Sequence, residues 1–146
     1  MNKEIFNEHF KKTSYIYYLL LLGKISFLVV SLVLVDYFNI KDEAIKNDFL
    51  RIFIPIVGII VMILSNKIYN RSISGIKANA SLENKLFKYR TYKIMQWALI
   101  EGAGFLALTV FIFTKQYLYV IISLFLIGYF ILLRPTKRQL RTDMKI

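Results

Sequence analysis

Residues 94–114 read IMQWALIEGAGFLALTVFIFT, an apolar run of membrane length with one carboxylate, Glu101, well inside it. An ionisable side chain at the centre of a bilayer costs roughly 2.5–3.5 kcal/mol on insertion scales, so it is normally given a partner or a task. This stretch sets the solvent: the chain reads as a membrane protein, and Glu101 marks the face that avoids lipid.

The composition agrees. Of 146 residues, 57% are hydrophobic and the mean hydropathy is +0.52, whereas soluble domains have about 45–50% apolar residues. Four segments read as spans: about 15–37, 52–69, 92–114 and 117–134. They leave no room for a separate soluble catalytic domain. The first run is too long for a signal-peptide core, and Asp36-Tyr37-Phe38-Asn39 follows it instead of a small-x-small cleavage site. Tyr15, Tyr17, Tyr18 and Tyr37 at its ends suit the two interfacial aromatic belts. The second run is short unless Lys67 snorkels, and Pro55 is expected in its first turn, where a missing N–H is tolerated.

The net charge of +11 invites a nucleic-acid reading, but the positive charge is concentrated between and after the apolar runs. The head, the connection 67–93 and the tail hold 15 Lys and Arg, against four in the other two connections. The positive-inside bias therefore puts both termini in the cytoplasm and makes nucleic acid an unlikely partner. The expected fold is an all-α membrane protein: four transmembrane helices in an up-down bundle, with a basic cytoplasmic connection at 71–91 and a basic tail at 135–146. Ser81 is a candidate N-cap, and no Gly or Pro interrupts 81–101. The third helix is thus expected to begin in the cytoplasm and to be the longest. Only Lys115 and Gln116 separate the last two runs, which implies a tight hairpin.

With this orientation the first and third spans run the same way. Glu101 then lies roughly 10 Å beyond Ile94, and Lys24 roughly 13 Å beyond Tyr15, at 1.5 Å per residue. Opposite charges at similar depth on parallel helices suggest an intramembrane pair, Lys24–Glu101. Ala98, Glu101, Gly102, Phe105 and Thr109 are expected on one side of the third helix, with Ala98 and Gly102 as a small-xxx-small packing pair. Tyr17, Lys24 and Ser31 form a matching stripe on the first. Two roles for this seam stay open: a structural pair fixing register, or a protonatable carboxylate coupling ion movement to transport. Pairing itself argues against a free proton carrier.

Arg134, Lys137, Arg138 and Arg141 in the tail form a juxtamembrane cluster suited to anionic phospholipid headgroups, at about 1 kcal/mol per charge. Other signals fail. His9 is the only histidine, in a polar head where it should be solvated, and there is no cysteine. No nucleophile–base set, thiolate metal site or disulfide can be built. Asp36, Asp42, Glu43 and Asp48 lack the alternation of a calcium loop. Gly102-Ala103-Gly104 lacks the strand and Lys of a phosphate loop. No catalytic residue, metal or cofactor is expected. The partners implied are the bilayer and either further copies of the chain or a larger membrane complex.

Glu101-Gly102 near the start of the third span and Arg134-Pro135-Thr136 at the end of the fourth carry a resemblance. Over residues 89–143 the chain resembles a group of small bacterial four-span inner-membrane proteins of unknown function. The resemblance implies the hairpin at Lys115-Gln116 and an inner-membrane location, and it brings no activity. It does not extend to four-span multidrug exporters, whose acidic residue lies in the first span, nor to the glycine-rich proteolipids of rotor rings.

Overall fold

Ser81 starts the helix on which the others pack. Its side chain accepts the N–H of Asn84 at 3.4 Å, satisfying one of the unpaired donors at a helix start. From there α3 (Leu82–Thr114) runs unbroken for 33 residues and ends at Lys115, in the left-handed region (φ 52°), whose N–H donates to the carbonyl of Phe111. The chain reverses within Lys115–Tyr117. The structure, a computed structural model, describes residues 3–38, 48–77 and 79–145. Besides α3 these form α1 (Lys3–Tyr37), α2 (Asp48–Ser74), α4 (Leu118–Leu132) and α5 (Lys137–Met144), with no strand among the described residues.

Side-chain pairs give the directions. Tyr17 meets Trp97 and Phe27 meets Phe105, so α1 runs parallel to α3. Tyr69 meets Tyr89, and Ile54 joins Ala107 and Phe111 in one cluster, so α2 is antiparallel. Phe130 lies by Trp97 and Tyr119 clusters with Phe111, so α4 is antiparallel too. Helices α1 and α2 each pack on α3 and more lightly on α4. Helix α3 is therefore central, and its Trp97, Ile100, Ala107, Leu108 and Phe111 are fully buried.

Outward faces are apolar. Leu19, Leu22, Val29 and Val33 of α1, and Ile52, Ile59 and Ile63 of α2, are exposed over the lengths of their helices. Such continuous apolar surface far exceeds what soluble monomers carry. Three helices, α1, α2 and α3, are long and apolar enough to cross a membrane, which is compatible with a multi-pass membrane protein. Helix α4 has 15 residues, about 22 Å at 1.5 Å per residue, against a hydrocarbon core of about 30 Å. Alone it falls short of that length; α4 and α5 taken together are long and apolar enough, but they are bent by 71° across residues 133–136. Thr136 caps α5 by accepting the N–H of Gln139 at 3.1 Å.

Three expectations need correcting. The polar head is helical from Lys3, so α1, at 35 residues, is longer than α3. Its mixed polarity reflects a helix with one face packed (Phe6, Thr13) and the rest in contact with water. Pro55 is the eighth residue of α2, inside the helix, so the Arg51 carbonyl receives no helical N–H from it. Within the connection 71–91, α2 continues to Ser74, further than its apolar run, while α3 begins at Leu82 as the Ser81 cap implies. Asp42 and Glu43 lie outside the described residues. Asp48 is exposed and sits 3.8 Å from Arg51.

Candidate functional site

Halfway along α3 the structure brings the charges of α1 and α3 close, but not into contact. Lys24 is 1% exposed and Glu101 7%. The Lys24 stem crosses α3 at Gly104, where an added Cβ would stand 3.2 Å from its Cε, a tight approach that would push the stem aside by a few tenths of an ångström. The ammonium then reaches α4 and lies 4.6 Å from the centre of the Phe130 ring, a favourable cation–π position. Glu101 leans the other way, its Oε1 3.9 Å from where a Cβ on Gly23 would be. No ion pair within 4.0 Å joins the two among the described residues. The expected contact pair is absent because Lys24 inserts almost a turn beyond Glu101.

The neighbouring layer is aromatic. Tyr17 stacks on Phe130 at 5.1 Å and meets Trp97 edge-on at 5.3 Å. Its hydroxyl donates to the Phe130 carbonyl at 3.2 Å, and Trp97 Nε1 donates to the Leu133 carbonyl at 3.4 Å. Both carbonyls lie at the C-terminal end of α4, where that of Phe130 also accepts the N–H of Leu133, the residue that caps the helix. The stripe Tyr17, Lys24, Ser31 on α1 is buried throughout. On α3, however, Ala98, Gly102 and Thr109 face outward, and nothing lies within 4 Å of a Cβ built on Gly102. Among the described residues Ala98 and Gly102 are therefore exposed, not packed at the centre of the bundle. The buried small residues are instead Ala103, Gly104 and Ala107. Glu101 sits at the border of the inward face, not at its centre.

A second polar group, missed in the sequence, lies at the end of the bundle that holds the start of α1, the α2–α3 connection and α5. We refer to it as the basic end. Lys93 is 1% and Gln96 2% exposed. The Lys93 Nζ donates to Gln96 Oε1 at 3.3 Å and lies 4.3 Å from the centre of the Tyr69 ring. Gln96 Nε2 donates to Asn66 Oδ1 at 2.7 Å. The Tyr69 hydroxyl donates to the Asp143 carboxylate. Buried Tyr89 has its hydroxyl pKa pushed up, first by desolvation and then by the Asp143 charge. Around these groups Phe6, Tyr69, Leu86, Tyr89, Leu140 and Met144 form one apolar cluster that docks α5. Helical spacing could have revealed the group, since Leu86, Tyr89, Lys93, Gln96 and Ile100 repeat at three to four residues on the buried face.

The tail cations Arg134, Lys137, Arg138 and Arg141 are all exposed. Three of them lie over aromatic rings of α1: Arg134 over Tyr18, Lys137 over Phe10 and Arg141 over Phe6, at 5.4–5.7 Å. His9 departs from expectation. It is half-buried, and its Nδ1 is sealed off without a hydrogen-bond partner among the described residues. Its pKa is lowered by burial and then by the nearby charges of Arg90 and Lys12.

Fold and site together define an all-helical protein with three to four segments able to cross a membrane and buried polar groups along a central helix. No family model, curated protein or solved structure matches the chain.

Proposed function

We propose that this chain is a small, non-enzymatic integral protein of the bacterial inner membrane. It acts as a structural, accessory or regulatory component, packing its helices against copies of itself or a larger partner. In this reading it crosses the bilayer four times as an up-down bundle. The fourth crossing is completed when residues 117 and 133–134 extend α4 into the headgroups. Both termini lie in the cytoplasm, because the head, the α2–α3 connection and the tail hold 15 of the 20 Lys and Arg and share the basic end. The first turns of α3 then stand in the cytoplasm beside α5. Arg134, Lys137, Arg138 and Arg141 meet anionic headgroups.

The observation that carries this reading is the Lys24 slot. A cation threaded past Gly104 and held under Phe130 is enclosed by three helices and fixes their register. Exposed apolar faces on α1 and α2, and the open α3 face at Ala98 and Gly102, leave surface for further helices as well as lipid. A second reading, a small oligomeric ion- or proton-coupled transporter using Glu101, draws on the same geometry. That carboxylate has no ammonium within 4.0 Å among the described residues.

Purification in a mild detergent with native mass measurement, followed by reconstitution into vesicles, tests the choice. A defined oligomer or partner complex, with proton flux unaffected by Glu101→Gln, is the expected result. A lone monomer, or flux abolished by Glu101→Gln in a normally folded protein, overturns it.

A further inference from the structure

At the basic end, on the side of α1 away from α5's apolar cluster, two clefts run in series between α1 and α3. In the first, of about 470 Å³, His9 and Lys12 face Ser81, Asn84 and Arg90, with Glu83 on the lining as well. The second, of about 440 Å³, is lined by Lys11, Lys12, Tyr15, Ile16 and Arg90. Lys12 and Arg90 line both, so the two adjoin as one shallow groove open to the surface. That groove crosses from charged to apolar residues: Lys11 and Lys12 lie one helical turn before the run that begins at Tyr15, and Ile16 opens the apolar wall. In a bilayer this is the level of the phosphate groups.

Charge along the groove is partly committed. Lys12 is held by Glu8 at 2.6 Å. Arg90 lies 5.6 Å from the centre of the Phe87 ring. Neither Lys11 nor Arg90 has a carboxylate within 4.0 Å among the described residues. The imidazole of His9, whose Nδ1 has no partner among the described residues, is held toward its neutral form by burial and by Arg90 and Lys12. The local potential is therefore positive where the wall turns apolar.

We propose that this groove is a binding site for one anionic phospholipid, its phosphate held between Lys11 and Arg90 and the start of an acyl chain lying along Tyr15 and Ile16. Cations above an apolar wall at headgroup depth suit a phosphate that carries a hydrocarbon chain. The site is lined by α1, Ser81 and α3, without the tail cations, and rests on the membrane reading above.

The test is lipid titration of the detergent-purified protein followed by native mass spectrometry, comparing phosphatidylglycerol with phosphatidylcholine. A single phosphatidylglycerol should be retained in preference to phosphatidylcholine. Lys11→Gln and Arg90→Gln should each weaken it about fivefold and together about thirtyfold, at about 1 kcal/mol per cation. Lys137→Gln/Arg138→Gln should leave this one high-affinity lipid in place, and the charge-keeping Arg90→Lys should stay within about twofold. Circular dichroism identifies any variant that does not fold, and the remaining single variants then decide. Unchanged lipid preference in folded Lys11→Gln/Arg90→Gln protein, or loss only in the tail variant, overturns the site alone. A chain that stays in solution without detergent overturns the membrane reading instead.

Discussion

Removing a single oxygen, by Tyr69→Phe, tests how α5 is held. Eight residues are too few for an independent helix in water, where about 12–15 are needed, so α5 exists because it is docked. Leu140 and Met144, each 2% exposed, supply roughly 1.5–3 kcal/mol apiece by burial. The Tyr69 hydroxyl donates to the Asp143 carboxylate, and a hydrogen bond to a charged group contributes about 1.5–3 kcal/mol. Phenylalanine keeps the ring beneath Lys93 and in the apolar cluster, so the substitution isolates the hydroxyl. Amide hydrogen exchange in detergent or nanodiscs reads the result. Exchange across Leu140–Lys145 should accelerate about 10- to 100-fold, since 1.36 kcal/mol is a factor of ten. Amides of Trp97–Phe111 should not change. Unaltered protection of α5, or loosening spread evenly over α3, would refute the proposed docking.

Further consequences are open to measurement. Trp97→Ala empties the centre of the aromatic layer and should lower stability by about 3–5 kcal/mol, read as a steep fall in folded yield and Tm. Gly104→Leu must displace the Lys24 stem and should cost about 1–3 kcal/mol. Gly102→Ala meets nothing within 4 Å and should leave the monomer as stable or raise it by up to about 1 kcal/mol, so a large loss would show that another chain covers this face. The lowered pKa of His9 means that the unfolded chain takes up a proton more readily than the folded one. The stability tied to neutral His9 is present above the ordinary histidine pKa near 6.5 and is lost as pH falls through the lower folded value. Protection factors at the start of α1, corrected for the intrinsic pH dependence of amide exchange, should therefore fall between pH 7 and pH 5, and His9→Gln should flatten that dependence.

The helices were legible because their signals are strong: apolar runs of membrane length, the Ser81 cap, and the Lys115–Gln116 break all appear where the structure has them. Less legible was how far helix continues beyond the apolar part. Hydropathy stops at Tyr15 and near Tyr69, whereas α1 begins at Lys3 and α2 reaches Ser74, because the extra turns are stabilised by packing at the basic end. At the site, Lys24 and Glu101 were found as buried charges at similar depth, since charge in an apolar run is conspicuous. Their failure to touch was not readable, because it turns on side-chain direction: Lys24 passes Gly104 toward α4, while Glu101 leans on Gly23. Taking Glu101 as the centre of the inward face rotated the rest, placing Ala98 and Gly102 inside and leaving Lys93 and Gln96 unnoticed. Lys93 also escaped because a lysine near a span end looks like a topology signal. Its burial depends on Tyr69 and α5, which lie far from it in sequence.

The central claim is that Lys24 and Glu101, buried but not in contact, still influence each other through their charges and so help to hold the bundle, and a double-mutant cycle on Lys24→Met and Glu101→Gln measures it directly. Unfolding in detergent should show each single variant destabilised. In the double variant, Lys24→Met should restore part of what Glu101→Gln loses, with a coupling of about 0.5–3 kcal/mol. Strictly additive losses, or normally folded single variants with Glu101→Gln abolishing proton flux, would contradict it.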